Sequence, residues 1–139
     1  MDVLILNPNI TIGGAQRVVL NLAYYLEKLG NQVWLFTTLI DKKALPEKFK
    51  HLNFIKSKNK ILKKGGKTTQ YQNIDNLFLL LIRLFKIRWE LIKIIKEKKI
   101  EVVITHQQPF NWVLAFYRRC LVIWNCFEPV SPWQSKNKN

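Results

Sequence analysis

With 139 residues, nearly half of them hydrophobic, the chain can build one core and reads as a single domain. No stretch reaches the roughly 20 apolar residues of a membrane span, since the run Leu77 to Ile82 is broken at Arg83. The formal charge of +14 directs attention to anionic partners.

The chain opens with Val3, Leu4, Ile5 and Leu6, consecutively apolar as in a parallel strand covered on both faces. A turn through Asn7-Pro8-Asn9-Ile10-Thr11-Ile12-Gly13-Gly14 leads into a helix with Val18, Val19, Leu22, Leu26 and Leu29 at helical spacing, and Gly30 supplies its stop. Val33 to Phe36 form a second strand, which completes one βαβ unit. The turn after the first strand lies at the carboxyl edge of the sheet, where open α/β folds place ligands. Gly13 and Gly14 permit positive φ and close backbone approach, and the first free helical amides can cradle an anion; the competing reading is a tight turn and nothing more.

Two nucleotide motifs do not fit. A dinucleotide fingerprint needs Gly-x-Gly-x-x-Gly and an acidic residue closing the second strand, where this chain has Thr37-Thr38. Gly66-Lys67-Thr68 supplies three letters of a P-loop, but the motif's first glycine falls on Ile61 and no strand precedes it.

Ten lysines (42, 43, 48, 50, 56, 58, 60, 63, 64 and 67) against Asp41 and Glu47 make the segment 41–67 a basic loop. Such a loop suits an anionic membrane surface; nucleic acid is the less expected ligand, and an AT-rich coding sequence also accounts for 18 lysines against 5 arginines. Asn73 to Lys99 read as one long helix with Leu77, Leu80, Leu81, Leu84, Leu91, Ile94 and Ile95 on one stripe, widened by Phe78, Ile82, Phe85 and Trp89. Residues 101–105 form a third strand, Pro109 to Arg118 a short helix, and Leu121 to Trp124 a fourth strand. Strands separated by helices imply right-handed crossovers and a parallel sheet.

His106 follows a strand at the same edge as the glycine turn. It can donate to a sugar hydroxyl or phosphate and serve as acid or base, or it can simply satisfy a nearby backbone carbonyl. Asn125 and Glu128 follow the last strand at that edge; a solvated Glu128 is the plainer alternative, and no second carboxylate stands by it to form a glycosidase pair. Cys120 and Cys126 lack a Cys-x-x-Cys spacing and are expected as buried free thiols, with no metal site. His51 receives no role.

The run Gly13-Gly14-Ala15-Gln16-Arg17-Val18-Val19-Leu20-Asn21-Leu22-Ala23, followed by Leu26-Glu27-Lys28-Leu29-Gly30-Asn31-Gln32-Val33, resembles the amino-terminal domain of family 4 glycosyltransferases of the GT-B fold. Gln16 falls within that family's variation, and Cys126-Phe127-Glu128-Pro129 is similar to a Cys-x-Glu-Pro turn of some members. The resemblance implies a Rossmann-like α/β parallel sheet over residues 1–132, with 133–139 as a polar tail. It implies a retaining transferase that moves sugar from a nucleotide-diphosphate sugar to a glycan or lipid-linked acceptor, that donor being a substrate and no cofactor being required. Gly13, Gly14, Ala15 and Gln16 are the candidates for the donor phosphates, His106 for catalysis, and Asn125 and Glu128 for the acceptor. The family's second Rossmann-like domain, with its Glu-x7-Glu element, has no counterpart in this chain, so the isolated chain is expected to be inactive. Asp2 stands where a secretory leader would be basic, so the expected location is cytoplasmic, peripheral at the inner membrane face. The alternative function is a non-catalytic remnant or a basic module binding membrane or nucleic acid.

Overall fold

The computed structural model describes residues 1–10, 14–59, 74–106, 110–115 and 117–125, with backbone alone for 74–78 and 80. The strands are β1 (Asp2–Leu6), β2 (Asn9–Ile10), β3 (Gln32–Thr37), β4 (Leu39–Ile40), β5 (Asn53–Lys56), β6 (Val102–Thr105) and β7 (Leu121–Trp124), and the helices are α1 (Gly14–Lys28), α2 (Ile74–Glu97) and α3 (Phe110–Leu114). Five strands make one sheet in the order β5-β3-β1-β6-β7, and every pairing in it is parallel.

β1 is central, and its uninterrupted apolar run serves both faces. Val3 and Ile5 join Val19, Leu20, Ala23, Val33 and Leu35 under α1, while Leu4 and Leu6 join Ile87, Leu91, Val103 and Phe110 under α2 and α3. Ile87 and Leu91 are fully buried, and such side chains each contribute about 1.5–3 kcal/mol. Gly30 ends α1 at φ +81, the left-handed conformation that suits glycine at a helix stop.

The structure corrects several expectations. On α1 the buried side chains are Val19, Leu20 and Ala23; Val18 is exposed, because the sheet meets that helix over a narrower arc than the apolar spacing implies, and Leu29 lies exposed in the turn past the helix end. Over residues 41–59 the basic segment is no plain loop, and residues 60–67 lie outside the described residues. Asp41 caps a 3-10 turn, Lys42–Ala44, by accepting from the Lys43 amide at 3.1 Å; a second turn, Glu47–Phe49, follows, and then β5 as the sheet's edge. Leu45, Phe49 and Leu52, spaced among the lysines, are buried under the α1 face and draw the segment onto the sheet. On α2 the core stripe is Leu84, Ile87, Leu91 and Ile95, with Leu81 exposed. Helix α3 spans only Phe110–Leu114, shorter than the 109–118 expected.

Candidate functional site

The position of the site follows from strand order. From β1 the chain crosses through α1 on one face to β3, whereas from β6 it crosses through α3 on the other face to β7. The connections leaving β1 and β6 therefore diverge to opposite faces at the carboxyl ends of the strands, the switch point at which doubly wound sheets bind ligands.

The first residues beyond the strands form a polar row at one register. Leu6 pairs with Phe36 and with Thr105, and Thr105 pairs with Trp124, so the next position across the sheet is Thr37, Asn7, His106 and Asn125. Backbone bonds carry the ladder into this row, from the Asn7 amide to the Phe36 carbonyl at 3.0 Å and from the Asn125 amide to the Thr105 carbonyl at 2.8 Å. Asn7 and His106 are 2% and 3% exposed. Burial lowers the imidazole pKa of His106 from its ordinary value, because a charged ring there would lose its hydration. His106 is thus a neutral ring near pH 7, able to donate from one nitrogen and accept at the other. Thr105 donates its hydroxyl to the Asn111 Oδ1 and ties the end of β6 to α3.

Asn7 is the residue the sequence reading passed over. Its Oδ1, and that of Asn9, are buried with no hydrogen-bond partner among the described residues. The available signal was positional: a carboxamide directly following a wholly apolar central strand.

Residues around Pro8 fix the path from this row to α1. Its carbonyl accepts from the Thr38 hydroxyl at 2.7 Å, from the Thr37 hydroxyl at 3.3 Å, and from the amides of Thr38 and Leu39, both at 3.2 Å. β2 pairs with β4, laying a short second ladder over the same edge. The hydroxyls of Thr37 and Thr38, which stand where a dinucleotide site needs a ribose-binding carboxylate, are committed to this turn. Gly14 is already helical; its φ is outside the positive region, and a Cβ added to it meets nothing within 4 Å. The positive φ that glycine permits is thus not used at Gly14, and Gly13 lies outside the described residues. Gly14 is exposed and Ala15 and Gln16 are half-buried, so the amino end of α1 is open to an approaching group.

Glu128, Cys126 and the tail 133–139 also lie outside the described residues. Cys120 is half-buried, not buried as expected, and burial raises its thiol pKa. His51 does have a partner, Glu27 at 3.1 Å on α1, far from the row in sequence and facing solvent. At the far end of the sheet Glu90 of α2 accepts from the Ser57 hydroxyl at 2.6 Å, the Lys58 backbone amide at 3.2 Å and the Asn59 side-chain Nδ2 at 3.2 Å, fixing the exit from β5. Among the described residues no three His, Cys, Asp or Glu side chains cluster as metal ligands, and no helix is long and apolar enough to cross a membrane.

Comparison with known proteins agrees with this architecture. A solved structure of a glycosyltransferase from Rickettsia africae ESF-5 superposes with a TM-score of 0.55 at 12% identity, over 88% of this chain and 28% of that one. At such identity the likeness speaks for the fold, and this chain spans less than a third of that protein's length. No curated protein matches it in sequence. The profile of Glycosyltransferase Family 4 matches residues 12–126, from the glycine turn through the end of β7. This chain belongs to glycosyltransferase family 4.

Proposed function

We propose that the chain supplies the acceptor side of a retaining transferase that moves a sugar from a nucleotide-diphosphate sugar to a hydroxyl of a glycan or lipid-linked acceptor. The observation that carries this reading is the polar row at the β1/β6 switch point, with buried Asn7 and His106 side by side and the open end of α1 at the same edge. In group transfer of this kind the protein positions the acceptor oxygen and stabilises the departing diphosphate. His106, neutral at pH 7, suits the first task by hydrogen bonding to an acceptor hydroxyl, with Asn125 beside it. The amides of Gly13, Gly14, Ala15 and Gln16 suit the second, since a helix amino terminus attracts phosphate oxygens. Glu128 is assigned to the acceptor by the family likeness. The donor's remaining contacts come from a second Rossmann-like domain.

The test is a nuclear magnetic resonance titration of the full 139-residue chain with UDP- and GDP-sugars and with free monosaccharides. Weak, millimolar binding with shifts confined to amides near Asn7, residues 14–16, His106 and Asn125 supports the reading. Shifts absent from that edge at every ligand overturn it, and micromolar binding with turnover overturns the assignment of the donor to a second domain.

A further inference from the structure

The sheet ends in two edge strands of different chemistry. On β5 Asn53 and Lys56 are exposed, with Lys58 just beyond, and lysine on an edge discourages another strand from pairing there. β7 has no charged side chain, and its Leu121, Ile123 and Trp124 are 61%, 43% and 54% exposed. No strand lies beyond it among the described residues. Its ladder with β6 decides which backbone groups are left over. The Leu121 amide donates to the Glu101 carbonyl at 3.0 Å and the Asn125 amide to the Thr105 carbonyl at 2.8 Å. By the alternation of a strand, the amide and carbonyl of Ile123 also face β6, and those of Val122 and Trp124 point away from the sheet.

This outward set is complementary to itself. Two copies of β7 laid antiparallel, about a two-fold axis through Val122 and perpendicular to the sheet, exchange both bonds between Val122 and its copy, and bring the Trp124 backbone opposite Cys120 on either side. The same register sets Leu121 of one copy against Ile123 of the other, twice, on the face that Val102 and Ile104 share, so apolar side chains meet apolar side chains. Moving the axis to Ile123 would set Leu121 against the polar Asn125. Like charges also stay apart. Arg119 falls opposite Asn125 of the second copy, which leaves the two Arg119 backbones roughly 20 Å apart along the strands, past the Debye length of about 8 Å at physiological salt. A different polypeptide would have to bring an uncharged apolar strand of its own, and a copy of this chain already carries one.

We infer that two copies of this chain join edge to edge through β7, forming one continuous sheet of ten strands about a two-fold axis at Val122. The inference stands apart from the sugar-transfer reading, since it rests on the backbone and side chains of residues 121–124.

Sedimentation velocity of the full chain at physiological salt tests it, together with amide exchange followed by nuclear magnetic resonance. An edge pairing is a small interface, so a dimer is expected near about 100 μM and a monomer near about 1 μM. Ile123→Lys, which puts a lysine into both apolar cross-strand pairs, should weaken dimerisation at least about tenfold. Leu121→Glu combined with Ile123→Lys should recover much of that loss, because only in this register does position 121 meet position 123 of the other copy. Both side chains are exposed, and circular dichroism with a thermal melt confirms that the variants fold. In concentrated parent protein the Val122 amide should exchange about fivefold more slowly than in Ile123→Lys, while the inward Leu121 amide exchanges alike in both. The proposal is overturned if the chain is monomeric at both concentrations, if Ile123→Lys dimerises as the parent does, or if the double variant does no better than the single one. A dimer whose Val122 amide exchanges as fast as in Ile123→Lys would overturn it by placing the contact on another surface. Slow exchange of Val122 in a monomeric sample would overturn it by showing that the same chain covers this edge.

Discussion

Asn7 and His106 occupy one register position on neighbouring strands, each one residue past the paired Leu6 and Thr105. Parallel strands lie roughly 4.8 Å apart, so the two side chains leave neighbouring backbone positions at the same edge. Both belong to the most buried part of the sheet edge, and neither is charged at neutral pH. In the proposed transferase the pair meets a neutral polar group and the amino end of α1 meets the diphosphate.

The Asn7 carboxamide oxygen is a buried acceptor without a partner among the described residues, a condition that costs about 1–3 kcal/mol. Asn7→Leu, nearly the same shape, should leave the melting temperature unchanged or higher. If the carboxamide serves a ligand, the same variant abolishes the shifts that sugars produce at the His106 amide. A clear loss of thermal stability would show that Asn7 serves the fold.

His106 gives a pH dependence with a defined sign. Its folded pKa lies below the unfolded value of about 6.5, so in the window just below that value the unfolded chain binds more protons than the folded one. The stability it contributes is full above about pH 6.5 and is lost as pH falls through the lower folded pKa. Melts between neutral and mildly acid pH should show a decline that His106→Gln flattens. An equal decline in the variant would assign the effect to other groups.

At Gly14 the helical backbone and the open space around the position permit a side chain. Gly14→Ala should raise stability by up to about 1 kcal/mol, measured by urea unfolding, because alanine reduces the freedom of the unfolded chain. In an enzyme assembled with its donor-binding domain, a fall in transfer despite that gain would show that the missing Cβ makes room for the donor. Equal activity would leave the glycine without a ligand role.

Glu90→Ala should cost about 1–3 kcal/mol by chemical denaturation, since one carboxylate holds three donors of the turn 57–59 in a partly buried setting. Hydrogen exchange should speed at Lys58 and Asn59 and stay unchanged at β1. Unchanged exchange at Lys58 would show that the turn holds itself.

Much of the architecture was legible because it rests on pattern. The unbroken apolar run at 3–6 could only be a strand covered on both sides, and it is the centre of the sheet. The edge strand β5 was hidden because Asn53, Phe54, Ile55 and Lys56 form a short run in a lysine-rich setting, where charge obscures the Leu45, Phe49 and Leu52 anchors. The carboxyl-edge position of His106 was read from its place just after a strand, whereas its register beside Asn7 depended on which strand would pair with β1. That pairing joins residues about a hundred positions apart, and local sequence holds no record of it.

The two sides of β1 are completed on very different schedules. Its partner β3 arrives about thirty residues later through one helix, but β6 arrives only when Val102 pairs with Val3, after the whole length of α2. During synthesis the β1–α1–β3 unit can close early, while the opposite edge of β1, flanked by Leu4 and Leu6, stands unpaired and apolar until β6 is made. The interval in which this chain is most prone to stick to its own copies is thus set by the distance between two strands of one sheet, and a folding helper has most to do between the emergence of residue 37 and that of residue 105.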